Sequence, residues 1–213
     1  MKAVFFDAAG TLFHLPRGVG WHYARAAEKH GGYLSAEVMD RRFRTLWGTA
    51  PPSPETDGPR PDDDRGWWRS LVNRVFSDAP QTFDLDACFP DLWNEFTRPG
   101  VWELYPETLE VLQTLKSKAR LGIVSNFDGR LHSVLSNLGL TDFFEHVVIS
   151  SEVGADKPSP RIFSNALKRF DLEANDVVFA GDDPEADWLG AERAGMNVFR
   201  LKRPENDLRG LLP

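Results

Sequence analysis

The chain has 213 residues, a formal net charge of −7 and a single cysteine, Cys88. The acidic net charge argues against general binding to nucleic-acid phosphates. A single cysteine excludes an intramolecular disulfide and a cysteine-based zinc site. No apolar run approaches the roughly 20 residues that span a bilayer. Asp7 also falls where a signal peptide keeps its apolar core. We therefore expect a small-molecule substrate, no nucleic acid or membrane as partner, a monomer or homodimer, and a cytoplasmic location.

Five short apolar runs predict the strands of a parallel sheet. They are rich in Val, Ile or Phe and do not alternate with polar residues, which is typical of strands buried on both faces. Helical patterns separate the last four runs, and strands that alternate with helices indicate an α/β fold. The predicted strands are Ala3–Phe6, Leu121–Val124, Val147–Ile149, Val177–Ala180 and Asn197–Leu201, and the helices of this core are Pro106–Ala119, Gly129–Leu138, Pro160–Phe170 and Glu185–Ala194.

The first two strands are separated by far more chain than a crossover helix needs. A βαβ unit takes about 30 residues, whereas Asp7 and Ser125 lie 118 positions apart. We therefore predict a core domain of residues 1–15 and 99–213 and an inserted helical domain of residues 16–98. Its predicted helices are Gly20–His30, Ser35–Trp47, Asp64–Phe76 and Leu85–Thr97, and residues 50–64, rich in Pro, Gly and acids, predict a loop that could be mobile.

Polar residues follow the apolar strands at the sheet edge where an open parallel sheet binds its ligands. Carboxylates at this edge suit a hard cation, whereas a hydroxyl group and a lysine suit a phosphate. Each of these residues alone is a weak signal, because Asp is common in turns. In strand order they are Asp7, Gly10 and Thr11, then Ser125 and Asn126, then Lys157, and finally Asp182, Asp183 and Asp187.

In this order the segments FFDAAGTL, IVSN, DKPSPRIF and FAGDDPEAD resemble the four motifs of the haloacid dehalogenase-like (HAD) hydrolase superfamily. The insert falls where that superfamily carries an α-helical cap. The resemblance implies an α/β three-layer sandwich with a mostly parallel, Rossmann-like sheet, and a cap that closes over the strand ends. Within the insert, Trp67-Trp68 after an acidic helix start resembles the subgroup that contains the animal haloacid dehalogenase-like hydrolase domain proteins.

The resemblance implies a Mg²⁺-dependent hydrolase of a small phosphorylated metabolite. Asp7 would be the nucleophile and would form an aspartyl-phosphate. Ser125 and the amide of Asn126 would bind the phosphoryl oxygens, and Lys157 would neutralise their charge. Mg²⁺ would be held by Asp7, the carbonyl of Ala9 and Asp182. The supporting residues would be Gly10 and Thr11 in the turn after the nucleophile, Asp183 as a partner or alternative ligand, and Asp187 as the group that positions Lys157 or a metal-bound water.

Ala9 departs from the phosphatase pattern, in which a second aspartate two residues after the nucleophile acts as general acid and base. A methyl group can do neither, and such help is typically worth about 10²–10⁴-fold in rate. Three consequences follow as alternatives. The leaving group needs no proton, as in an acyl phosphate or a phosphonate; another group, such as one from the cap, replaces the acid; or the protein turns over slowly and is a binding member of the superfamily.

Two relatives with other chemistry share this departure. Phosphonate hydrolases of the superfamily need a cap lysine, and Lys29 is the only lysine of the insert, on a polar stretch typical of a solvated surface. Haloacid dehalogenases lack the second aspartate and carry a Ser-Asn pair such as Ser125-Asn126, but need no metal. Asp182 and Asp183 favour a metal instead, because adjacent acids beside Asp7 would otherwise repel one another.

Several residues outside the four motifs are candidates for contact with the substrate. Asp128 could replace the missing acid, although its place before a helix is typical of an N-cap. Tryptophans in a small helical domain more often pack in its core. The candidates near or within the insert are His14, Arg17, Trp21, His22, Arg44, Trp47, Trp67 and Trp68, of which His14 and Arg17 are nearest to the first motif.

Overall fold

The computed structural model describes residues 1–79 and 83–212. None of the helices in these ranges combines the length and the apolar character that crossing a membrane requires. The strands are β1 (Ala3–Phe6), β2 (Phe13–His14), β3 (Glu103–Leu104), β4 (Arg120–Ser125), β5 (His146–Ile149), β6 (Val177–Gly181) and β7 (Asn197–Arg200). The α-helices are α1 (Gly18–Lys29), α2 (Ala36–Trp47), α3 (Arg65–Val75), α4 (Leu85–Glu95), α5 (Thr108–Lys116), α6 (Arg130–Asn137), α7 (Ser150–Val153), α8 (Pro160–Phe170) and α9 (Gly190–Arg193).

The main sheet is parallel throughout, with the strand order β5-β4-β1-β6-β7. The central strand β1 is fully buried, which agrees with its uninterrupted apolar sequence. In its register Phe6 lies beside Ile123 of β4 and Ala180 of β6. The three strands therefore end at nearly the same level, and the polar residues that follow them meet at one edge of the sheet.

Helices cover both faces of this sheet, which confirms the predicted α/β sandwich. Val4 and Phe6 point to one face and pack in a cluster with residues of α5 and α6. Ala3 and Phe5 point to the other face and pack with residues of α8 and α9. The alternation along a strand thus divides the apolar residues between two cores, one in each interface between the layers.

The inserted helices α1–α4 enclose an apolar core of their own, in which Tyr23, Met39, Val75 and Leu92 are almost fully buried. Cys88 lies in this core as a small apolar side chain, and burial raises the pKa of its thiol to about 11. A separate core fits the predicted division of the chain into residues 16–98 and the rest, while the boundaries themselves stay a prediction.

Two features of the fold were not predicted from the sequence. The antiparallel pair β2–β3, Phe13 with Leu104 and His14 with Glu103, joins the two connections to the insert, and strands of two residues are too short to show a period. The helix predicted over Glu185–Ala194 is instead a π-helical turn, Pro184–Leu189, followed by α9. Asp183 caps this turn by accepting hydrogen bonds from the backbone N–H groups of Glu185 and Ala186.

The acidic loop over residues 50–64 makes hydrogen bonds to the core domain, and its mobility stays a prediction. Thr56 N–H donates to the Gly154 carbonyl at 2.9 Å, and Arg60 N–H donates to that of Ser151 at 2.7 Å. The Asp63 carboxylate accepts from the Gly129 N–H at 2.9 Å, at the start of α6. The prediction of a loop from this composition is confirmed. The sequence does not show that an acid of the loop has a partner in the core domain.

Arg60 is the buried ion of this contact. Its Nη1 lies 2.8 Å from Asp64 Oδ2 and 3.0 Å from Asp156 Oδ1, and its side chain is 4% exposed. Asp64 belongs to the insert and Asp156 to the core domain. The guanidinium therefore neutralises one carboxylate of each domain in a place with little access to water.

We expect Arg60→Gln to lower the free energy of unfolding by about 3 kcal/mol, since removing one partner leaves buried carboxylates unpaired. Urea unfolding measures the change, and limited proteolysis should show earlier cleavage within residues 50–64. Arg44→Gln is the matched control, because the Arg44–Asp40 pair is exposed and should contribute no more than about 0.5 kcal/mol. Equal effects of the two substitutions would contradict the role given to Arg60.

Candidate active site

Asp7 lies at the carboxyl end of β1 and is the centre of the polar group at the sheet edge. Its Oδ1 accepts a hydrogen bond from Ser125 Oγ at 3.1 Å and one from Lys157 Nζ at 2.7 Å. Both donors were predicted from the ends of their strands. Burial raises the pKa of Asp7, and the charge of Lys157 offsets this only in part.

Lys157 bridges two carboxylates. Its Nζ is 2.6 Å from Asp187 Oδ1 as well as 2.7 Å from Asp7, and its side chain is 2% exposed. Burial alone would lower the pKa of this ammonium group, but the charges of Asp187 and Asp7 outweigh burial and raise it. Lys157 is therefore a fixed positive charge at the nucleophile.

The side chain of Asn126 holds the backbone of Lys157 in place. Asn126 Nδ2 donates to the Lys157 carbonyl at 2.9 Å, and the Lys157 N–H donates to Asn126 Oδ1 at 2.6 Å. The sequence suggested a role for the amide of Asn126 at a phosphoryl group. This positioning role of its side chain was missed, because a pair of contacts 31 residues apart leaves no signal in a sequence.

Asp182 faces the turn that follows the nucleophile. Thr11 Oγ1 donates to Asp182 Oδ1 at 3.0 Å. Gly10 has φ +95°, and a Cβ at this position would lie 2.6 Å from Asp182 Oδ2. Glycine is thus required both by the backbone conformation and by the approach of the carboxylate. These contacts with Asp182 give a physical basis for the supporting roles predicted for Gly10 and Thr11.

Three carboxylates converge in a way that fits a hard cation. Asp7, Asp182 and Asp187 each offer an oxygen within 4.8 Å of the others. Both oxygens of Asp187 already have donors, Lys157 Nζ at 2.6 Å and the Asp183 N–H at 3.0 Å. Asp7 and Asp182 therefore suit direct metal ligation better than Asp187, and Ala9 lines the same cavity. The ligand set of Asp7, Asp182 and the Ala9 carbonyl stays a prediction.

The charges of this cluster are costly without a cation. Burial raises the pKa of Asp187 to about 6, and it also raises the pKa of Asp182, where the Thr11 hydrogen bond works in the opposite direction. The Asp182 charge adds to the raised pKa of Asp7. A bound divalent ion would reverse these effects by favouring the ionised carboxylates. The residues present thus fit Mg²⁺.

A cavity of about 460 Å³ opens above Asp7 and runs between the strand ends and the inserted helices. Of the candidates named from the sequence, His14, Trp47 and Trp68 line it. Arg17, Trp21, His22 and Lys29 instead line a separate depression on the insert, and Arg44 and Trp67 lie outside both. Of the two candidates nearest to the first motif, His14 thus lines the cavity and Arg17 does not: the Arg17 guanidinium packs 4.3 Å over the Trp21 ring.

Arg130 also lines this cavity and was missed by the sequence analysis. Its Nε and Nη2 donate to the two oxygens of Asp128, each at 2.7 Å, and its guanidinium stacks 3.6 Å above Trp93. Asp128 also accepts from the Arg130 N–H at 3.1 Å, so it stabilises the start of α6. Its carboxylate is engaged with Arg130 and is fully buried, which argues against the alternative that it replaces the acid at position 9.

The part of the insert that faces Ala9 is apolar. Among the described residues that line the cavity, all carboxylates come from the core strand ends, and the insert contributes aromatic and aliphatic side chains. Tyr23 is the exception with an ionisable group, and burial raises the pKa of its hydroxyl far above the usual range. The described lining thus holds no acid from the insert that could take the place of the missing aspartate.

Comparisons with known proteins identify the family. The family described as haloacid dehalogenase-like hydrolase matches residues 1–195. The haloacid dehalogenase-like hydrolase domain-containing protein 3 of Danio rerio is 31% identical over 209 residues, covering 96% of this chain and 86% of its own. A glyceraldehyde 3-phosphate phosphatase of Methanopyrus kandleri is 37% identical over 112 residues, 48% of each protein.

Solved structures with the same fold carry different activities in their names. A HAD phosphatase from Thermococcus onnurineus superposes with a TM-score of 0.68 and 25% identity, over 100% of this chain and 98% of its own. The defluorinating L-2-haloacid dehalogenase Rha0230 superposes with a TM-score of 0.78 and 19% identity, over 96% of this chain and 82% of its own. The second likeness bears on the fold alone.

The acidic cluster predicts how metal affects stability. Added Mg²⁺ should raise the melting temperature of the wild-type protein, since a ligand at 100 times its Kd stabilises by about 2.7 kcal/mol, or several degrees for a chain of this size. Asp182→Asn should melt higher than wild type in EDTA, because a like charge beside Asp7 is gone, and should gain little from Mg²⁺. Thermal unfolding with and without the ion measures both effects.

Glu185→Gln serves as the control for this measurement, because it removes an exposed acid three residues from Asp182. It should keep the full response to Mg²⁺. If Asp182→Asn and Glu185→Gln respond to the ion equally, the assignment of Asp182 as a ligand is wrong.

Proposed function

The chain belongs to the haloacid dehalogenase-like hydrolase family, and from this premise we propose that it hydrolyses a small phosphorylated metabolite through an aspartyl-phosphate on Asp7. The observation that carries the proposal is the contact of both Ser125 Oγ and Lys157 Nζ with Asp7 Oδ1. Because both contacts fall on one oxygen, the other oxygen, Oδ2, is the atom that can face phosphorus. The phosphatases among the relatives support this class of reaction.

In the first half of the proposed reaction Asp7 Oδ2 attacks phosphorus. A bond forms between Oδ2 and phosphorus, the bond from phosphorus to the leaving oxygen breaks, and the electron pair goes with that oxygen. Lys157 neutralises charge on the phosphoryl oxygens, and Ser125 can donate a hydrogen bond to one of them. Such transfer depends on positioning and charge stabilisation, and Mg²⁺ held by Asp7 and Asp182 would supply the remaining positive charge.

In the second half a water molecule attacks phosphorus, the bond from phosphorus to Asp7 Oδ2 breaks with its electron pair returning to Oδ2, and dihydrogen phosphate leaves with both protons of the water. An aspartate two residues after the nucleophile would take up one of these two protons during the attack, but Ala9 cannot. The apolar insert opposite Ala9 favours the alternative in which the leaving group departs without a proton. A leaving group that needs no proton does not help the attack of water in the second half, so we infer that breakdown of the aspartyl-phosphate limits turnover.

Hydrolysis of a carbon–halogen bond is the second candidate, because Ala9 and the apolar cavity suit it as well. A haloacid would bring a carboxylate that needs a cation, however, and Arg130 is already paired with Asp128. The converging carboxylates would also oppose a metal-free reaction of an anionic substrate. Halide release in EDTA from a 2-haloacid is the measurement that would favour this candidate over phosphate hydrolysis.

Substitution of the nucleophile and of its neighbour should act in opposite directions. We expect Asp7→Asn to reduce metal-dependent hydrolysis of acetyl phosphate by at least about 10³-fold, the scale on which the loss of a nucleophile acts. Ala9→Asp should raise hydrolysis of an alkyl phosphate by about 10²-fold, since it adds a general acid and base. An unchanged rate in a folded Ala9→Asp protein would count against the argument from Ala9.

The slow second half predicts burst kinetics. With Mg²⁺ and p-nitrophenyl phosphate, rapid mixing should show about one equivalent of p-nitrophenolate released quickly, followed by a slower steady rate, as expected when a covalent intermediate accumulates. Ala9→Asp should shrink the burst, because water attack becomes faster. A linear time course from the first turnover in the wild-type protein would show that the first half limits the rate.

A further inference from the structure

The cavity above Asp7 continues into the insert, where we call its inner part the cap chamber. The cap chamber is lined by side chains from all four inserted helices, and almost all of its surface is aromatic or aliphatic. Its lining residues are Tyr23, Phe43, Trp68, Val72, Leu92 and Trp93.

Arg130 is the only Arg or Lys besides Lys157 among the described residues that line the whole cavity. Two of its nitrogen atoms donate to Asp128 at 2.7 Å, and the third donates to the Trp93 carbonyl at 3.1 Å. Asp128 thus cancels its charge in a buried pair. The cap chamber therefore offers no free cation to a second anionic group, and placing a charged group there would incur a desolvation cost without compensation.

The geometry of the aromatic residues suits a flat ring. Phe43 and Trp47 stack at 5.6 Å, Trp47 and Trp68 stack at 5.5 Å, and all three line the cavity. Aromatic faces at this spacing favour offset or edge-on contacts with another ring. The volume of about 460 Å³ lies within the about 300–1,000 Å³ of small-molecule sites.

We propose that the cap chamber binds the aromatic ring of the leaving group, a ring with no charged substituent, so that the substrate class is an aryl phosphate monoester. This rests on the proposed function, because the phosphate is expected at Asp7, Ser125 and Lys157. It also explains Ala9: when the bond from phosphorus to oxygen breaks, a phenol leaves as phenolate and keeps the electron pair without needing a proton. An alkyl alcohol would need that proton in the same step.

The test compares three aryl phosphates with similar leaving groups but different apolar area and charge. We expect kcat/KM for 2-naphthyl phosphate to exceed that for phenyl phosphate by about 10-fold, or about 1.4 kcal/mol. 4-Carboxyphenyl phosphate should fall at least about 10-fold below phenyl phosphate, because its carboxylate finds no free cation. All three are assayed with Mg²⁺ on the full chain.

Two substitutions localise the effect. Phe43→Ala and Trp68→Ala should each lower the ratio of kcat/KM for 2-naphthyl to phenyl phosphate by about 5-fold to 10-fold, because each removes ring surface from the cap chamber. Trp21→Ala is the matched control. It also removes a large aromatic ring from the insert, but Trp21 lines the separate depression and not the cap chamber. It should leave the ratio unchanged.

A binding measurement separates this inference from the proposed function. 2-Naphthol, which carries no phosphate, should bind the wild-type protein in EDTA and quench tryptophan fluorescence, and Phe43→Ala should weaken that binding whereas Trp21→Ala should not. Naphthol binding without hydrolysis of any phosphate would support the cap chamber and overturn the phosphatase. Metal-dependent phosphate hydrolysis that is indifferent to the three aryl groups, with no naphthol binding, would overturn the cap chamber and leave the phosphatase.

Discussion

The contact on which the active site depends is the buried bridge from Lys157 to Asp7 and Asp187. Three charges lie at the end of a parallel sheet where water has little access, and breaking such a bridge costs about 3–5 kcal/mol. The bridge places the ammonium group beside the nucleophile and holds Asp187 within the π-helical turn. Because Asp182 adds a further negative charge nearby, the bridge neutralises only part of the cluster. The remaining charge is the reason that we propose a cation at this edge of the sheet.

The core of the molecule could be predicted because its signals are local. Ala3–Phe6 is apolar without interruption, and the structure places this strand at the centre of the sheet with the same bounds. Asp7 and Asp182 directly follow their strands and Ser125 is the last residue of β4, so knowing the order and direction of the strands is enough to bring them together. The same holds for Gly10, whose φ of +95° is a property of its own backbone. The structural role of each of these residues depends on its local sequence, which is why it could be predicted.

The helices of the insert could be predicted from the sequence, but the side chains that they present to the core domain could not. Arg17 directly precedes α1 and Trp21 lies on its first turn, and both line the separate depression, whereas Trp68 of α3 lines the cavity above Asp7. Which side of an inserted helix faces the core domain depends on contacts across the boundary, such as that of Asp63 with Gly129, 66 positions later. The acidic loop is the clearest example. Its composition resembles that of a mobile segment, yet its charges have partners that no local pattern can reveal.

The acidic loop also connects the insert to the chemistry. Arg60 binds Asp156, the residue immediately before Lys157, and Asp63 binds the amide of Gly129, three residues after Asn126. Asn126 in turn holds the backbone of Lys157: its side-chain amide donates to the Lys157 carbonyl and accepts from the Lys157 N–H. The insert is therefore docked on the two segments that position the fixed positive charge at Asp7. The docked insert covers one side of the cavity above Asp7 with apolar side chains, and a low local dielectric strengthens the electrostatic contacts of the buried lysine bridge. The apolar lining and the lysine bridge therefore both depend on the position of the insert.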